Sequence, residues 1–384
     1  MYYIALKMLI GDTAKYVGII IGITFAALIM TQQPGIFVGI MMRTYSFITD
    51  AALPDIWVTY PAVKYIDDIQ PMQDTQLYRV KSVEGVAWAV PLFKGSIIAR
   101  GTDGTFQTCN IIGLDDATLI AGPATMLTGR LEDLRQSDAV IVDEVGAKDK
   151  LAKKMPDGSK RPLKIGDELE LNDNHAVVVG IAKATRTFQS MPIVYTTYSR
   201  ATIFVPQQRE MLSFVLVKAA PGQDLHQLTK RIARDTGLAA HTREDFENLT
   251  LDYYLKYTAM PINFGVSVAL GFMVGAAIAG QMFYNFTLDN LRQFGALKAM
   301  GARDSVLLKM ILAQALYVGL VGWGLGVGLA ALFGFAVRDS VMAFDIPWQL
   351  LLFSGGGVFV IVIFAAFISI RKVIALEPAI VFKS

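Results

Sequence analysis

Four long apolar runs that contain no Asp, Glu, Lys or Arg dominate the hydrophobic pattern of the chain. They cover residues 16–42, 260–288, 310–337 and 346–370. A helix rises about 1.5 Å per residue, so about 20 residues cross a hydrocarbon core of roughly 30 Å. Every run exceeds that length, and four buried core helices of this kind are not typical of a soluble protein. The pattern therefore predicts four transmembrane helices.

The first run could also be a cleaved signal peptide. Apolar regions of signal peptides are usually about 7–15 residues long and precede a small-residue cleavage site. Residues 16–42 form a longer run and three further runs follow, which favours an uncleaved helix. Pro34 lies inside the run behind Gln32 and Gln33, which predicts a kink or a helix end there. The membrane part would then stop near Met30, and residues 35–42 would continue beyond it.

The short segments between the runs differ in their positive charge. One side of the predicted topology has nine basic residues: Lys7, Lys15, Arg292, Lys298, Arg303, Lys309, Arg371, Lys372 and Lys383. The loop at 338–345 on the other side has only Arg338. Lys and Arg in short loops remain on the cytoplasmic side. We therefore expect the N-terminus (1–15), the segment 289–309 and the tail (371–384) to be cytoplasmic, and residues 43–259 to be extracytoplasmic.

The extracytoplasmic segment begins and ends with similar patterns. Predicted strands and helices at its start cover 56–60 (strand), 75–83 (helix), 86–91, 94–100 and 106–114 (strands). Those at its end cover 214–218 (strand), 225–235 (helix) and 238–241 (strand). Two strand–helix–strand units that flank an insertion predict a split α+β domain with porter-like βαβ units.

The insertion, about 119–206, has the character of a β-rich subdomain. Its apolar strands are predicted at 139–142 and 176–181, with a turn leading into a strand at 164–169. Residues 155–161 contain Pro-Asp-Gly and predict an exposed loop.

Helical spacing returns after Thr242. Thr242 and Asp245 are typical of a capping box, and Pro261 predicts a bend before the second span. We expect a rigid stalk helix at about 243–259, packed against the extension of the first span; an ordinary helix followed by a hinge is the alternative. The stalk residues recur at three and four positions: Phe246, Leu249, Tyr253 and Tyr257.

Composition and motifs exclude several kinds of chemistry. Of the 384 residues 53% are hydrophobic and 18% charged, against about 25% charged in soluble domains, which suits a protein part membrane and part soluble. The net charge of +2 is too small to indicate nucleic acid, and the single cysteine, Cys109, precludes an internal disulfide. The sequence contains no P-loop and no nucleophile or zinc-protease motif, so we predict no catalytic, cofactor or metal site.

The runs also lack the ionisable groups that a proton- or sodium-coupled carrier uses. Any energy would have to come from a partner. Glycines four residues apart predict close helix packing, within the chain or between chains. These pairs are Gly18 and Gly22, Gly271 and Gly275, and Gly324 and Gly328.

A short basic segment follows the second span. Gly301 is a predicted helix end, and leucine or phenylalanine recurs every three residues, which does not define one buried face. A surface helix on lipid headgroups is one interpretation. The candidate residues for coupling to a partner are Leu291, Arg292, Phe294, Gly295, Leu297, Lys298 and Gly301.

Residues 294–302, FGALKAMGA, and the following ILAQAL resemble the corresponding stretch of the MacB/FtsX/LolC superfamily of ABC transporter permeases (type VII). Residues 371–379, which include Glu377-Pro378-Ala379, are similar to the end of the last span in that family. The stretches 169–181 and 254–271 and the stand-alone format most resemble the DevC-like exporter permeases.

The resemblance implies a fold and a set of partners. The fold would be four transmembrane helices with a large α+β domain between the first two. Two copies of the permease would bind a separate cytoplasmic ABC ATPase subunit that holds ATP-Mg, so this chain would need no cofactor. Its position would be the bacterial inner membrane, with both termini cytoplasmic. A periplasmic adaptor protein and an outer-membrane channel are the further expected partners, and ATPase closure would be transmitted mechanically to the outer domain.

Three functions fit this family. The first is export of a hydrophobic or amphiphilic molecule, which the large two-part outer domain favours. The second is FtsX-like signalling that regulates cell-wall hydrolases without transport. The third is release of lipoproteins from the membrane.

Overall fold

Long helices occupy both ends of the chain, and the strands come between them in sequence. The computed structural model describes residues 2–51, 53–101, 104–155, 158–205, 211–338 and 340–374. The helices are α1 (Tyr2–Gly11), α2 (Thr13–Asp50), α3 (Thr75–Lys81), α4 (Glu144–Lys148), α5 (Tyr198–Phe204), α6 (Leu225–Thr236), α7 (Arg243–Tyr257), α8 (Met260–Asp289), α9 (Leu291–Ala299), α10 (Asp304–Val337) and α11 (Trp348–Ile374). A 3₁₀ helix covers Leu131–Arg135.

The strands lie between α2 and α7. They are β1 (Ile56–Thr59), β2 (Met72–Gln73), β3 (Val86–Arg100), β4 (Phe106–Leu114), β5 (Thr125–Thr128), β6 (Ala139–Asp143), β7 (Lys153–Lys154), β8 (Lys160–Arg161), β9 (Glu168–Leu171), β10 (Asn174–Lys183), β11 (Ile193–Thr197), β12 (Met211–Leu212), β13 (Phe214–Ala219) and β14 (Ala239–Thr242). Parts of the predicted segments fall outside the described residues: 156–157 of the exposed loop, residue 206 at the end of the insertion, Asp339 in the short loop, and the tail from 375 onward.

The chain forms two compact units. The helical unit contains the residues up to Ile40 and from Ala259 onward, and the sheet unit runs from Met41 to Thr258. Among the described residues, four helices are long and apolar enough to cross a membrane by length and composition, and each overlaps one predicted run. They are Thr13–Asp50, Met260–Asp289, Asp304–Val337 and Trp348–Arg371.

Helix α2 continues past Pro34. It runs from Thr13 to Asp50 with Pro34 inside it, so of the two outcomes predicted at Pro34, a kink or a helix end, the helix end is wrong. Proline removes one backbone hydrogen bond, but neighbouring segments of a helical membrane protein can stabilise such a site. Here the loop before α11 packs on α2: the Asp345 N–H donates to the Gly35 carbonyl at 3.0 Å.

Glycines bring the helices of the helical unit close together. A Cβ atom on Gly22 of α2 would lie 2.7 Å from Ile278 of α8, and one on Gly322 of α10 would lie 2.7 Å from Ile23 of α2. Gly271 and Gly275 of α8 contact Ile29 and Ala26 of α2. The predicted role of these pairs in packing is therefore seen within the chain. Gly324 and Gly328 differ, since no described neighbour lies within 4 Å of the Cβ position of either.

Helix α1 is an element that the sequence pattern did not predict. Ala5 and Leu9 are buried in the core of the helical unit. The buried Gln314 of α10 donates from Nε2 to the Ala5 carbonyl at 2.7 Å. This bond fixes α1 against α10 and satisfies the amide nitrogen of Gln314 inside an apolar bundle, whereas its Oε1 has no hydrogen-bond partner among the described residues.

The sheet unit contains the predicted split βαβ arrangement. Its main sheet has the strand order β14-β1-β13-β3-β4-β11-β6-β10-β5, and β9 pairs with β10 and β3. The first four strands are antiparallel neighbours, joined in sequence through α3 and α6. This is the order of a ferredoxin-like split βαβ unit. The predicted fold class, four membrane helices and an α+β domain, is confirmed.

Strand β3 joins the two halves of the sheet. Residues up to Leu92 pair with β13, and those from Phe93 pair with β4. The predicted interruption between 91 and 94 is therefore wrong. The strands of the predicted insertion continue the same sheet, because β11 pairs with β4.

Alternation along β1 separates two cores. Ile56 and Val58 lie in a core with Leu77 of α3 and Leu228 of α6. Trp57 points to the opposite face. That second face is covered by the end of α2 and by α7, which contribute Phe47, Ile48, Phe246 and Leu249 to its core.

Candidate coupling and stalk helices

Helix α9 is a short helix that starts directly after α8. Asn290 connects the two helices, and its side chain donates to the Phe286 carbonyl at 2.8 Å. At the other end Gly301 has φ +93°, a conformation that glycine adopts without strain. The Gly301 N–H donates to Lys298 and the Ala302 N–H to Leu297, both at 3.0 Å. These two bonds form a Schellman motif, the helix end that the glycine predicts.

The predicted coupling residues do not share one face of α9. Phe294 and Gly295 are buried, and Phe294 lies in the core of the helical unit. Leu291 and Leu297 are half-buried against the same core. Among the predicted residues, Arg292 and Gly301 are exposed.

The exposed face of α9 contains residues that the pattern did not single out. They are Gln293, Ala296, Ala299 and Met300. Met300 is 76% exposed, the same value as Phe335 among the large apolar residues. The three-residue spacing of leucine and phenylalanine does not indicate this face. The small and polar residues between them do, because they form its surface. We call Arg292, Gln293, Ala296, Ala299 and Met300 the α9 face.

Polar contacts hold α9 in place. Lys298 forms an ion pair with Asp304 at the start of α10, with Nζ and Oδ1 3.0 Å apart. Its Nζ also donates to the Ile374 carbonyl of α11 at 3.3 Å. Just before α9, Asp289 pairs with Lys15 at the start of α2. Lys298 therefore has a positioning role, with its ammonium group directed to α10 and α11.

The predicted stalk residues extend from a buried to an exposed end of α7. Thr242 caps the helix, and its Oγ1 accepts from the Asp245 N–H at 3.1 Å. Phe246 is fully buried, Leu249 is partly buried beside it, and Tyr257 is 75% exposed. The helix ends at Tyr257, and Thr258 is in an extended conformation. Thr258 and Ala259 therefore interrupt the helical path between α7 and α8.

An aromatic cluster holds α7 and the last turns of α2, together called the stalk helices, to the sheet. The Trp57 ring of β1 lies 6.0 Å from Phe47 of α2, 5.6 Å from Phe214 of β13 and 5.7 Å from Phe246 of α7. Such pairs contribute about 0.5–1.5 kcal/mol each beyond their buried area. The Thr49 hydroxyl of α2 also donates to Glu247 of α7 at 3.0 Å.

The sequence predicts that all of α7 packs against the extension of the first span, but the C-terminal half of the helix contacts other segments. Tyr253 stacks on Tyr65 of the β1–β2 connection with centroids 4.2 Å apart, and Tyr257 follows 5.4 Å from Tyr253. Tyr254 lies 5.5 Å from Phe188. Burial raises the pKa of Tyr65 and of Tyr254 above the usual range. The extension of the first span thus contacts α7 near Phe246, whereas near Tyr253 the β1–β2 connection contacts α7 instead.

Among the described residues, no group of three His, Cys, Asp or Glu could hold a metal ion. Cys109, on β4, is fully buried. Burial is the main reason that the pKa of its thiol rises to about 12.

Comparison with known proteins places both halves of the chain. Residues 16–235 match the MacB-like periplasmic core domain family, and residues 253–378 match the FtsX-like permease C-terminal family. The macrolide export ATP-binding/permease protein MacB of Bartonella quintana is 24% identical over 252 residues, which cover 63% of this chain and 36% of that protein. An uncharacterized ABC transporter permease of Methanocaldococcus jannaschii is 25% identical over 178 residues, 45% of this chain and 44% of that protein.

The chain thus spans about a third of the length of the MacB relative and less than half of the archaeal one. Two solved structures are similar to part of this chain. The extracellular domain of the noncanonic ABC-type transporter YknZ from Gram-positive bacteria has a TM-score of 0.36 at 16% identity, covering 49% of this chain and 98% of that chain. The periplasmic region of MacB from Actinobacillus actinomycetemcomitans has a TM-score of 0.38 at 16% identity, covering 53% and 94%.

The two matched families follow one another in one chain whose described residues include four span-length helices, in the order that the resemblance in the sequence predicts. The finer likeness to DevC-like permeases stays a prediction. The chain belongs to the ABC transporter permeases with a MacB-like periplasmic core domain and an FtsX-like C-terminal domain, and it is a multi-pass membrane protein.

Proposed function

We propose that this permease couples ATP hydrolysis by a separate ABC ATPase subunit to export of a hydrophobic or amphiphilic molecule, by mechanical transmission to the sheet unit. The unbroken helix α2 supports this proposal most directly. It runs from the span-length segment to Asp50, where the Asp50 carboxylate accepts from the Thr185 N–H and hydroxyl at 2.9 Å each. A continuous helix moves as one body, because each turn is hydrogen-bonded to the next.

Helix α7 has a different part in this mechanism. Since Thr258 and Ala259 interrupt the helical path, we expect α7 to act as a jointed connection, whereas α2 is helical throughout. The sequence pattern predicts α7 as the rigid stalk, whereas we assign the transmission of movement to α2. The α7 residues Phe246 and Leu249 instead seat the end of α2 on the sheet.

The α9 face is the proposed docking surface for the ATPase. It offers an exposed methionine, two alanines and a basic side chain, which suits a partner groove that is apolar with an acidic rim. On the opposite side of α9, Phe294 packs into the core of the helical unit and Lys298 pairs with Asp304 of α10. A displacement of α9 by the ATPase would therefore be transmitted to that core.

The proposed setting follows from the basic residues. Nine Lys and Arg residues on one side and Arg338 alone on the other favour cytoplasmic termini and α9, with the sheet unit outside an inner membrane. A second permease copy, a periplasmic adaptor and an outer-membrane channel complete the proposed assembly.

Substitution of Met300 tests the docking surface. Met300→Asp should abolish binding of the ATPase and ATP hydrolysis by the complex, since an unpaired carboxylate at an interface costs several kcal/mol. The matched control is Met155→Asp, which changes an exposed methionine of the sheet unit that is 39% exposed. The measurement is co-purification of the ATPase from the membrane. Normal co-purification and turnover with Met300→Asp would exclude the α9 face as the docking surface.

A further inference from the structure

A lysine occupies a position on β3 where the pattern of the sheet calls for an apolar side chain. Val90 and Leu92 of the same strand point into the core beneath α2 and α7, and Lys94 follows them on that face. Lys94 is only 3% exposed. A buried ammonium group is costly unless it is paired and hydrogen-bonded, so its partners reveal what holds it there.

The Lys94 ammonium group joins three parts of the sheet unit. It forms an ion pair with Asp67 and donates to the Ile66 carbonyl at 3.3 Å, both in the β1–β2 connection. It also lies 5.6 Å from the centroid of the Phe47 ring, on the last turns of α2. A cation over an aromatic ring is attracted to the ring, more strongly where water is excluded.

The connection that holds Lys94 is itself attached to α7. The Ile66 N–H donates to the hydroxyl of Thr250, which is fully buried on α7, at 3.2 Å. Tyr65 stacks on Tyr253 of the same helix. Lys94 is thus in contact with α2 directly and with α7 through Ile66.

The backbone of Lys94 is hydrogen-bonded to Ser213, the residue between β12 and β13. The Lys94 N–H donates to the Ser213 hydroxyl at 2.8 Å, and the hydroxyl donates back to the Lys94 carbonyl at 2.9 Å. Lys94 also lies just where β3 leaves β13 and begins to pair with β4. A displacement of Phe47 or of Ile66 would therefore act on the strand that joins the two halves of the sheet.

We propose that Lys94, paired with Asp67 beneath the Phe47 ring, is a polar latch that positions both stalk helices on β3 and passes their movement into the sheet. This inference rests on the proposed transmission function and names the point where it enters the sheet unit. An apolar side chain of equal size would fill the space at lower cost, because a buried ion pair is often no more stable than its apolar replacement. The ion pair adds conformational specificity, because it is satisfied in only one arrangement of Phe47, Ile66 and Asp67 and other arrangements leave a charge unpaired.

Two substitutions separate the latch from simple packing. Lys94→Met keeps the length of the side chain and leaves the Asp67 carboxylate unpaired, and the double variant Lys94→Met/Asp67→Leu removes both charges and keeps the volume. Lys183→Met, at an exposed lysine of β10, is the matched control. The protein is the full-length permease in lipid nanodiscs.

The first measurement is hydrogen exchange without ATP. Because Lys94→Met leaves the partly buried Asp67 carboxylate without its partner and removes the donor to the Ile66 carbonyl, it should speed exchange of the Ile66 amide at least about tenfold. Lys183→Met should leave it unchanged. Exchange at Ile66 that Lys94→Met does not alter would overturn the latch itself.

The second measurement uses the permease assembled with its ATPase, trapped with ATP-Mg and vanadate. The wild type should show a nucleotide-dependent change of exchange in β3 and β4. The double variant should keep ATP hydrolysis and a normal melting temperature but lose that change. If the double variant retains the change, Lys94 only fills space and the proposal is wrong. If the wild type shows no change, the transmission function itself fails, whatever the first measurement gives.

Discussion

Residue-scale chemistry in the sheet unit is governed by burial. Cys109 lies on β4 with its side chain fully buried, and burial raises the pKa of its thiol to about 12. The thiolate is the reactive form of cysteine, and a buried site disfavours it. The side chain thus behaves as a small apolar residue, and the sequence, which shows only that it is unpaired, does not reveal this.

Cys109 should accordingly resist modification in the folded chain. At pH 8, well below the raised pKa, the thiol is neutral, so a maleimide should react with it only after denaturation. A cysteine introduced by Glu132→Cys at an exposed position gives the reference rate. Equal rates for the two cysteines in the native protein would contradict the burial of Cys109.

The candidate residues show which roles the sequence can assign at this scale. Gly301 could be assigned, because a positive φ at a helix end leaves glycine as the suitable residue. Phe294 and Lys298 could be named but not oriented, since spacing of three residues does not define a helix face. Lys94 could not be found at all, because its partners Asp67 and Phe47 are far away in sequence and meet only in the folded sheet unit.

Elements were predicted best where one physical rule acts alone. The spans are set by length and polarity, and Leu225–Thr236 is set by an amphipathic pattern, an Asp224 cap and Gly237 in the left-handed conformation. Errors arose where rules compete. Pro34 favours a helix end, but packing of the loop at Asp345 on Gly35 accompanies an unbroken α2. Pro91 and Lys94 interrupt the apolar alternation of β3, yet pairing on both sides keeps it one strand.

Helix α10 contains two pairs of glycines, and the two pairs differ in their contacts with neighbouring helices. On α10, Gly322 and Gly326 pack against α2, whereas Gly324 and Gly328 have no described neighbour at the Cβ position. Both pairs look the same in the sequence, because only the rotation of α10 decides which pair meets a neighbour. That rotation depends on all helices of the unit together.

At the scale of the whole molecule, the first claim to test is orientation. Because Cys109 is buried, one new cysteine can be read on its own. Glu132→Cys should react with a membrane-impermeant maleimide in spheroplasts, since the basic residues favour an outer sheet unit. Arg292→Cys, on the α9 face, should react only after the inner membrane is broken. The opposite pattern would reverse the topology and exclude ATPase docking at α9.

The central claim is that α2 transmits movement as a continuous helix. Met42 lies within it and is 46% exposed, so Met42→Pro should disturb side-chain packing little. A proline in a helix interior removes a backbone hydrogen bond and kinks or breaks the helix, which costs about 3 kcal/mol or more. Met42→Ala is the matched control.

The deciding measurement is nucleotide-dependent hydrogen exchange in the sheet unit, taken together with ATP hydrolysis on the same permease–ATPase complex in lipid. For Met42→Pro we expect ATP hydrolysis to persist and the exchange response of the sheet unit to be lost, while Met42→Ala retains both. A Met42→Pro complex that assembles normally and shows the wild-type exchange response would contradict transmission through α2.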